Sequence, residues 1–135
     1  MYLNRLSTDD KMGFLILAKK AAKSNADITA EEKALISDYC IEMNIAPIAF
    51  DDIPDIALED IAAGFSQRDQ QSKNIILFEL MGMMYADGNI DEAEKAFIYD
   101  FAKAIGFNKT KSNSFMSLMK KYVTAVSDIS AAVLI

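Results

Sequence analysis

The chain has no histidine and no tryptophan, one cysteine, two prolines and five glycines among its 135 residues. Each scarcity removes a class of chemistry or structure. Without histidine there is no Ser-His-Asp or Cys-His constellation and no imidazole general base. Zinc and other transition metals lose their commonest ligand too, leaving Cys40 as the one thiolate donor. Cys40 cannot close an intrachain disulfide, which fits a reducing compartment, and the expected setting is cytoplasmic. The glycines are scattered, so neither a phosphate-cradling loop nor a dinucleotide fingerprint is present. Few glycines and prolines also favour long helices over a turn-rich sheet. No apolar run reaches the roughly 18 residues of a membrane span. The opening MYLNRLSTDDK lacks the apolar stretch of a secretory signal. The expectation is a non-enzymatic protein.

What is present is apolar and helical in period. Hydrophobic residues make up 52% of the chain, with eight Met and eight Phe, and the length suits a single domain over residues 1–135 with a sizeable core. The central stretch runs from Leu77 to Phe107. An apolar helical run ends at Ala86-Asp87-Gly88-Asn89-Ile90, where Gly88 can close a helix in the left-handed conformation. A second run starts at Asp91, and Glu94 three residues on completes the spacing of a capping box. The stretch reads as helix, tight corner, helix.

The same pattern occurs 62 residues earlier. Setting Leu15–Ile45 on Leu77–Phe107 pairs Ile28 with Ile90, Glu32 with Glu94, Lys33 with Lys95, Ile36 with Ile98 and Asp38 with Asp100. Thr29 falls on Asp91, so Thr29 and Glu32 form the matching box, while Asn25 and Ala26 stand where Asp87 and Gly88 do. Two diverged helical hairpins within one unit are the simplest account. Two copies are too few for an open solenoid.

In chain order, Ser7-Thr8-Asp9-Asp10 offers a cap and early acids for a first helix over Met12–Lys23, with Leu15, Ile16, Ala18, Ala21 and Ala22 facing the core. The second helix sets Ala34, Leu35, Tyr39 and Ile41 at helical spacing and ends before Pro47. Asp51-Asp52-Ile53-Pro54 punctuates the chain, and a short helix through Ile56, Leu58, Ile61 and Ala62 is expected to close at Gly64. The long helix up to Tyr85 restarts at Ser66–Asp69. After a terminal Gly106, Asn108 caps a helix carrying Phe115, Leu118, Met119, Tyr122 and Val126. The apolar tail Ala131–Ile135 is expected to pack back as a final turn or short helix, with an exposed tail that binds a partner as the alternative. The expected fold is all-α, a compact bundle of about six or seven helices. Leu15, Leu35, Leu77, Leu80, Phe97, Phe101 and Leu118 should contribute to its core.

Charge is unevenly placed on this chain of net −6. Between Ala34 and Gln67 lie seven acids (Asp38, Glu42, Asp51, Asp52, Asp55, Glu59, Asp60) and no Lys or Arg. From Phe101 onward there are five lysines (103, 109, 111, 120 and 121) against Asp128 alone. Both are explicable as solvated faces. Alternatively the molecule is bipolar, with a protein of basic surface or another copy of itself as partner. The lysines form no dense stripe, and the net charge argues against nucleic acid.

The motif Ala86-Asp87-Gly88-Asn89-Ile90-Asp91-Glu92-Ala93-Glu94, followed by the apolar helix ending Ala104-Ile105-Gly106-Phe107, resembles the tellurite-resistance TerB-like family over most of the chain. That resemblance implies a small all-helical domain with two related halves and a link to stress-response systems. It also implies divalent-cation binding by corner acids, which here are Asp87 and Glu94, with Glu32 on the glutamate position of the first half. Asn25 and Ala26 depart from the family pattern and leave the first half with less charge.

Two readings of the corner follow. In one, Asp91 and Glu94 are helix-end chemistry only. In the other, Asp87, Asp91 and Glu94, with Asn89 as an optional fourth, bring oxygens to a hard cation, Ca²⁺ or Mg²⁺. An ordinary EF-hand is ruled against, because its first-half ligand positions would be Met83 and Tyr85 here, and Ala21 and Lys23 in the earlier copy.

Overall fold

The computed structural model describes residues 1–22, 29–85 and 90–135. Among them are six α-helices and two short 3-10 turns, and no strand. The helices are α1 (Thr8–Ala22), α2 (Ala30–Glu42), α3 (Leu58–Ser66), α4 (Gln70–Met84), α5 (Glu92–Ala104) and α6 (Lys109–Val133). The 3-10 turns cover Leu3–Arg5 and Phe50–Asp52.

The repeat is carried by the backbone itself. The bounds of α1 and α4 differ by 62 at both ends, and so do those of α2 and α5. Their starts use matched chemistry. Asp10 N–H donates to Ser7 Oγ at 3.2 Å, and 62 positions on Ser72 N–H donates to Asp69 Oδ1 at 2.7 Å. Their ends match as well. Ile45 N–H reaches Cys40 O at 3.1 Å and Phe107 N–H reaches Ala102 O at 2.8 Å, each wrapping back over the last helical turn in the Schellman manner. That closure needs a left-handed residue, supplied by Asn44 (φ 55°) and Gly106 (φ 99°). The corners Asn25–Ile28 and Asp87–Asn89, including Gly88 and Ala26, lie outside the described residues.

α1 and α4 are buried on nearly every side over Phe14–Ala22 and Ile75–Met84, so they pack at the centre. Phe14, Leu15, Leu17 and Ala18 of α1 and Ile76, Leu77, Leu80 and Met81 of α4 are fully buried. α2 and α3 pack on α1, while α5 and α6 pack on α4 and on each other. α3 also touches α5 and so joins the two halves. Three edge-on aromatic pairs mark these seams: Phe14 with Tyr39 at 5.2 Å, Phe65 with Phe101 at 6.2 Å, and Phe78 with Phe115 at 5.6 Å. Each fully buried Leu, Ile or Phe removes apolar surface worth about 1.5–3 kcal/mol from water.

Of the expected core residues, Leu15, Leu77, Leu80 and Phe101 are fully buried, and Leu35 and Phe97 pack against the core at half-burial. Leu118 is a correction, being 49% exposed. α6 meets the body through Ser112, Met116 and Met119, and Leu118 falls about 100° round the helix from Met119. α2 also turns differently from expectation: Ile36, Tyr39 and Cys40 are buried, whereas Ala34 and Ile41 face solvent. Gly64 does not end α3. The helix runs on to Ser66 and tightens there, with Gln67 N–H on Gly64 O and Arg68 N–H on Phe65 O, and this keeps Phe65 in register to bury its ring. The tail forms no separate element packed back on the body. Ala131, Ala132 and Val133 continue α6, and Leu134 and Ile135 are exposed.

Candidate functional site

Asp91 sits at the N-cap of α5 with extended backbone (φ −85°, ψ 173°). Glu94 N–H donates to Asp91 Oδ1 at 2.7 Å, and Asp91 N–H donates to Glu94 Oε1 at 3.1 Å. At α2 the arrangement repeats: Glu32 N–H donates to Thr29 Oγ1 and Thr29 N–H to Glu32 Oε1, both at 3.1 Å. Both capping boxes are complete. Three of the four acids proposed for a cation therefore each commit an oxygen to a backbone amide, which lowers their freedom to turn toward an ion.

The structure joins Asp91 to Glu94 and gives Glu32 to the start of a different helix. Asp87 lies outside the described residues. Among the described residues no group of three or more Asp, Glu, Cys or His side chains is placed to hold a metal. Cys40 is fully buried.

The buried charged groups are structural ties. Glu79, 5% exposed on α4, accepts Tyr2 N–H at 2.7 Å and lies 3.0 Å from the Met1 amino group, which also donates to Glu42 at 2.7 Å. The tie fastens the first 3-10 turn to α2 and α4. Asp10 on α1 takes Arg68 Nε at 2.8 Å, locking the α3–α4 turn to the start of α1. Lys19 Nζ donates to Ile53 O at 2.8 Å and rests 5.0 Å from the centre of the Phe50 ring. Each buried charge is hydrogen-bonded, which offsets part of its desolvation cost. Tyr39 is held neutral, its phenol pKa pushed well up by burial and then by the charges of Glu79, Glu42 and Asp38.

All seven acids of the 34–67 stretch are exposed, as are Lys103, Lys109, Lys120 and Lys121. Lys111 is half-buried, with its ammonium 4.8 Å from the Phe115 ring centre and 5.2 Å from that of Phe107. It belongs to the packing as much as to any charged face.

The surface that stands out is an apolar flank of α6. This helix has 25 residues against 15 in α4 and 13 in α5, and it outruns both. Its apolar residues are exposed, at 44–49% for Leu118, Tyr122 and Val126 and at 61% and 70% for Ile129 and Val133. From Phe115 the apolar positions 115, 118, 122, 125, 129 and 132 alternate three and four residues apart, which keeps them on one side of a helix. A groove of about 330 Å³ lies at the root of this stripe, lined by Tyr2, Ile75, Phe78 and Phe115 with Arg5, Gln71 and Asn74. Sequence reasoning placed Leu118 in the core and preferred the tail against the body, with an exposed, partner-binding tail as the alternative. The signal it passed over is the unbroken three-four spacing from Phe115 into the tail.

No helix among the described residues is long and apolar enough to cross a membrane. No known protein family, curated protein or solved structure matches the chain.

Proposed function

We propose that this protein is a non-enzymatic helical interaction module whose contact surface is the exposed apolar flank of α6. The observation that carries the reading is the line Leu118, Tyr122, Val126, Ile129 and Val133, apolar and exposed on a helix that outruns its neighbours. Leaving such a line in water forgoes stabilisation that the two-helix seams elsewhere collect, and apolar surface of this kind marks docking sites. The body supports the reading by its construction. Its core is closed, its buried charges are paired in ties between elements, and its corner acids are occupied as caps.

A TerB-like relationship and a stress-response setting are part of the proposal. The 62-residue repeat, with helix bounds, caps and closures in register, supports two related halves, as does the motif from Ala86 to Glu94. The cation reading stands second, because it needs Asp87 to recruit carboxylates that already serve backbone amides.

Site-specific photo-crosslinking in producing cells tests the proposal. A crosslinker at Leu118 or Ile129 is expected to give discrete adducts, and one at Asp60 on α3 is not. Adducts from Asp60 with none from α6 would move the contact surface to the acidic face.

A further inference from the structure

We propose that the occupant of the α6 face is a second copy of this chain, paired antiparallel along α6. The inference rests on the interaction reading above and names its partner. Three independent properties of the stripe select that arrangement.

The first is period. Phe115, Leu118, Tyr122, Ala125, Ile129 and Ala132 repeat at 3.5 residues on average, the spacing at which two helices keep one seam facing the other. A helix lying in a globular groove has no need of so strict a repeat.

The second is size. In the antiparallel register that sets Leu118 against Ile129 of the second copy, Tyr122 meets Ala125 of that copy, and Ala132 of that copy reaches the groove where Phe115, half-buried on Phe78, ends the stripe. Every layer then joins a large side chain to a small one, or two aliphatic side chains of similar volume. Native packing density demands that kind of complement. A parallel pair would stack Tyr122 on Tyr122 and Ala125 on Ala125, crowding one layer and leaving the next hollow.

The third is charge. Lys121 and Asp128 immediately precede Tyr122 and Ile129 and so share one flank of the stripe. Both are exposed, and neither forms an ion pair within the chain among the described residues. The antiparallel register places Lys121 beside Asp128 of the second copy, and the two-fold axis makes that contact twice. Asp128 is the sole acid after Phe101, and it falls where this register needs one. In the parallel register Lys121 would face Val126.

Sedimentation equilibrium of the full chain, followed over rising concentration to about 1 mM, reads the pairing directly. The expected mass climbs from 14.9 kDa toward twice that value. Lys121→Asp and Asp128→Lys, each alone, should weaken association roughly tenfold or more by setting like charges opposite each other. An equimolar mixture of the two variants should recover it as a heterodimer, and the Lys121→Asp/Asp128→Lys double variant should recover it as a homodimer. Ile129→Asp should leave a monomer with unchanged helicity. A chain that stays monomeric throughout overturns the inference, as does a dimer indifferent to the charge exchange. A monomer that still gives α6 crosslinks of a mass other than twice its own leaves the interaction reading standing without this partner. A monomer that binds anionic phospholipid vesicles through Ile129 assigns the face to a lipid surface and likewise overturns the self-pairing.

Discussion

Asn44 and Gly106 stand 62 positions apart and close equivalent helices, α2 and α5, at φ 55° and 99°. One uses the residue with a side chain that best tolerates left-handed backbone, the other the residue with none. Equivalent geometry has been kept across the two halves by different chemistry.

That relationship sets an order of substitution costs. Gly106→Ala should destabilise by about 1–2 kcal/mol through backbone strain alone. A Cβ there would lie 3.7 Å from Lys73 Nζ, an ordinary contact, so space is not the issue. Asn44→Ala should cost less, because φ 55° is nearer the left-handed basin, and Asn44→Gly should be neutral or mildly stabilising. Urea midpoints of the three variants check the order.

Removing a box residue should show at the helix start. Asp91→Ala and Thr29→Ala are each expected to cost about 0.5–2 kcal/mol, and Asp91→Asn much less, since asparagine also caps. Calorimetric titration with calcium or magnesium is expected to give no saturable heat. A saturable heat that vanishes in the Asp87→Asn/Glu94→Gln double variant would transfer the corner to cation binding.

Gly13 and Gly64 should respond in opposite directions to alanine. A Cβ on Gly13 would lie 2.8 Å from Cζ of Phe65, whose ring is trapped between α1 and Phe101, so Gly13→Ala should cost about 1–3 kcal/mol. Gly64 has nothing within 4 Å of that position and sits inside α3. Gly64→Ala should gain about 0.5–1 kcal/mol from helix propensity. Thermal melts of the pair decide it.

Asp69 and Tyr39 each contribute to the pH dependence of stability. The backbone amide of Ser72, and then its side chain, hold the Asp69 carboxyl below its ordinary pKa. A folded pKa below the unfolded one adds stability above the unfolded value, and that contribution is lost as pH falls through the folded value. Asp69→Asn keeps a cap acceptor, so its stability should fall less than that of the wild type below about pH 4. For Tyr39 the sign reverses. Its raised pKa contributes stability that is full below the unfolded value near 10 and is lost as pH rises through the folded value. Tyr39→Phe should flatten the alkaline limb above about pH 10, as measured by denaturation across pH 8–12.

Where the second helix of each half begins was legible in the sequence because capping is local. A Thr or Asp with Glu three residues later satisfies its own amides whatever the remainder of the chain does, so Thr29, Glu32, Asp91 and Glu94 could be assigned from spacing. The alignment at 62 residues likewise carried the second closure, since Asn44 falls on Gly106 within the aligned span, although Pro47 drew attention as the terminator. Burial was another matter. Whether Leu118 or Ile41 is covered depends on which side of its helix a neighbour occupies and on where that neighbour stops, and both are properties of distant chain. Gly64 could end a helix, but the need to bury Phe65 against Gly13 and Phe101 carried α3 past it. For the candidate site, the sequence by itself determined the helix starts, the repeat and the apolar period of α6. Only the tertiary structure decided that this period has no cover, because α4 and α5 stop while α6 continues.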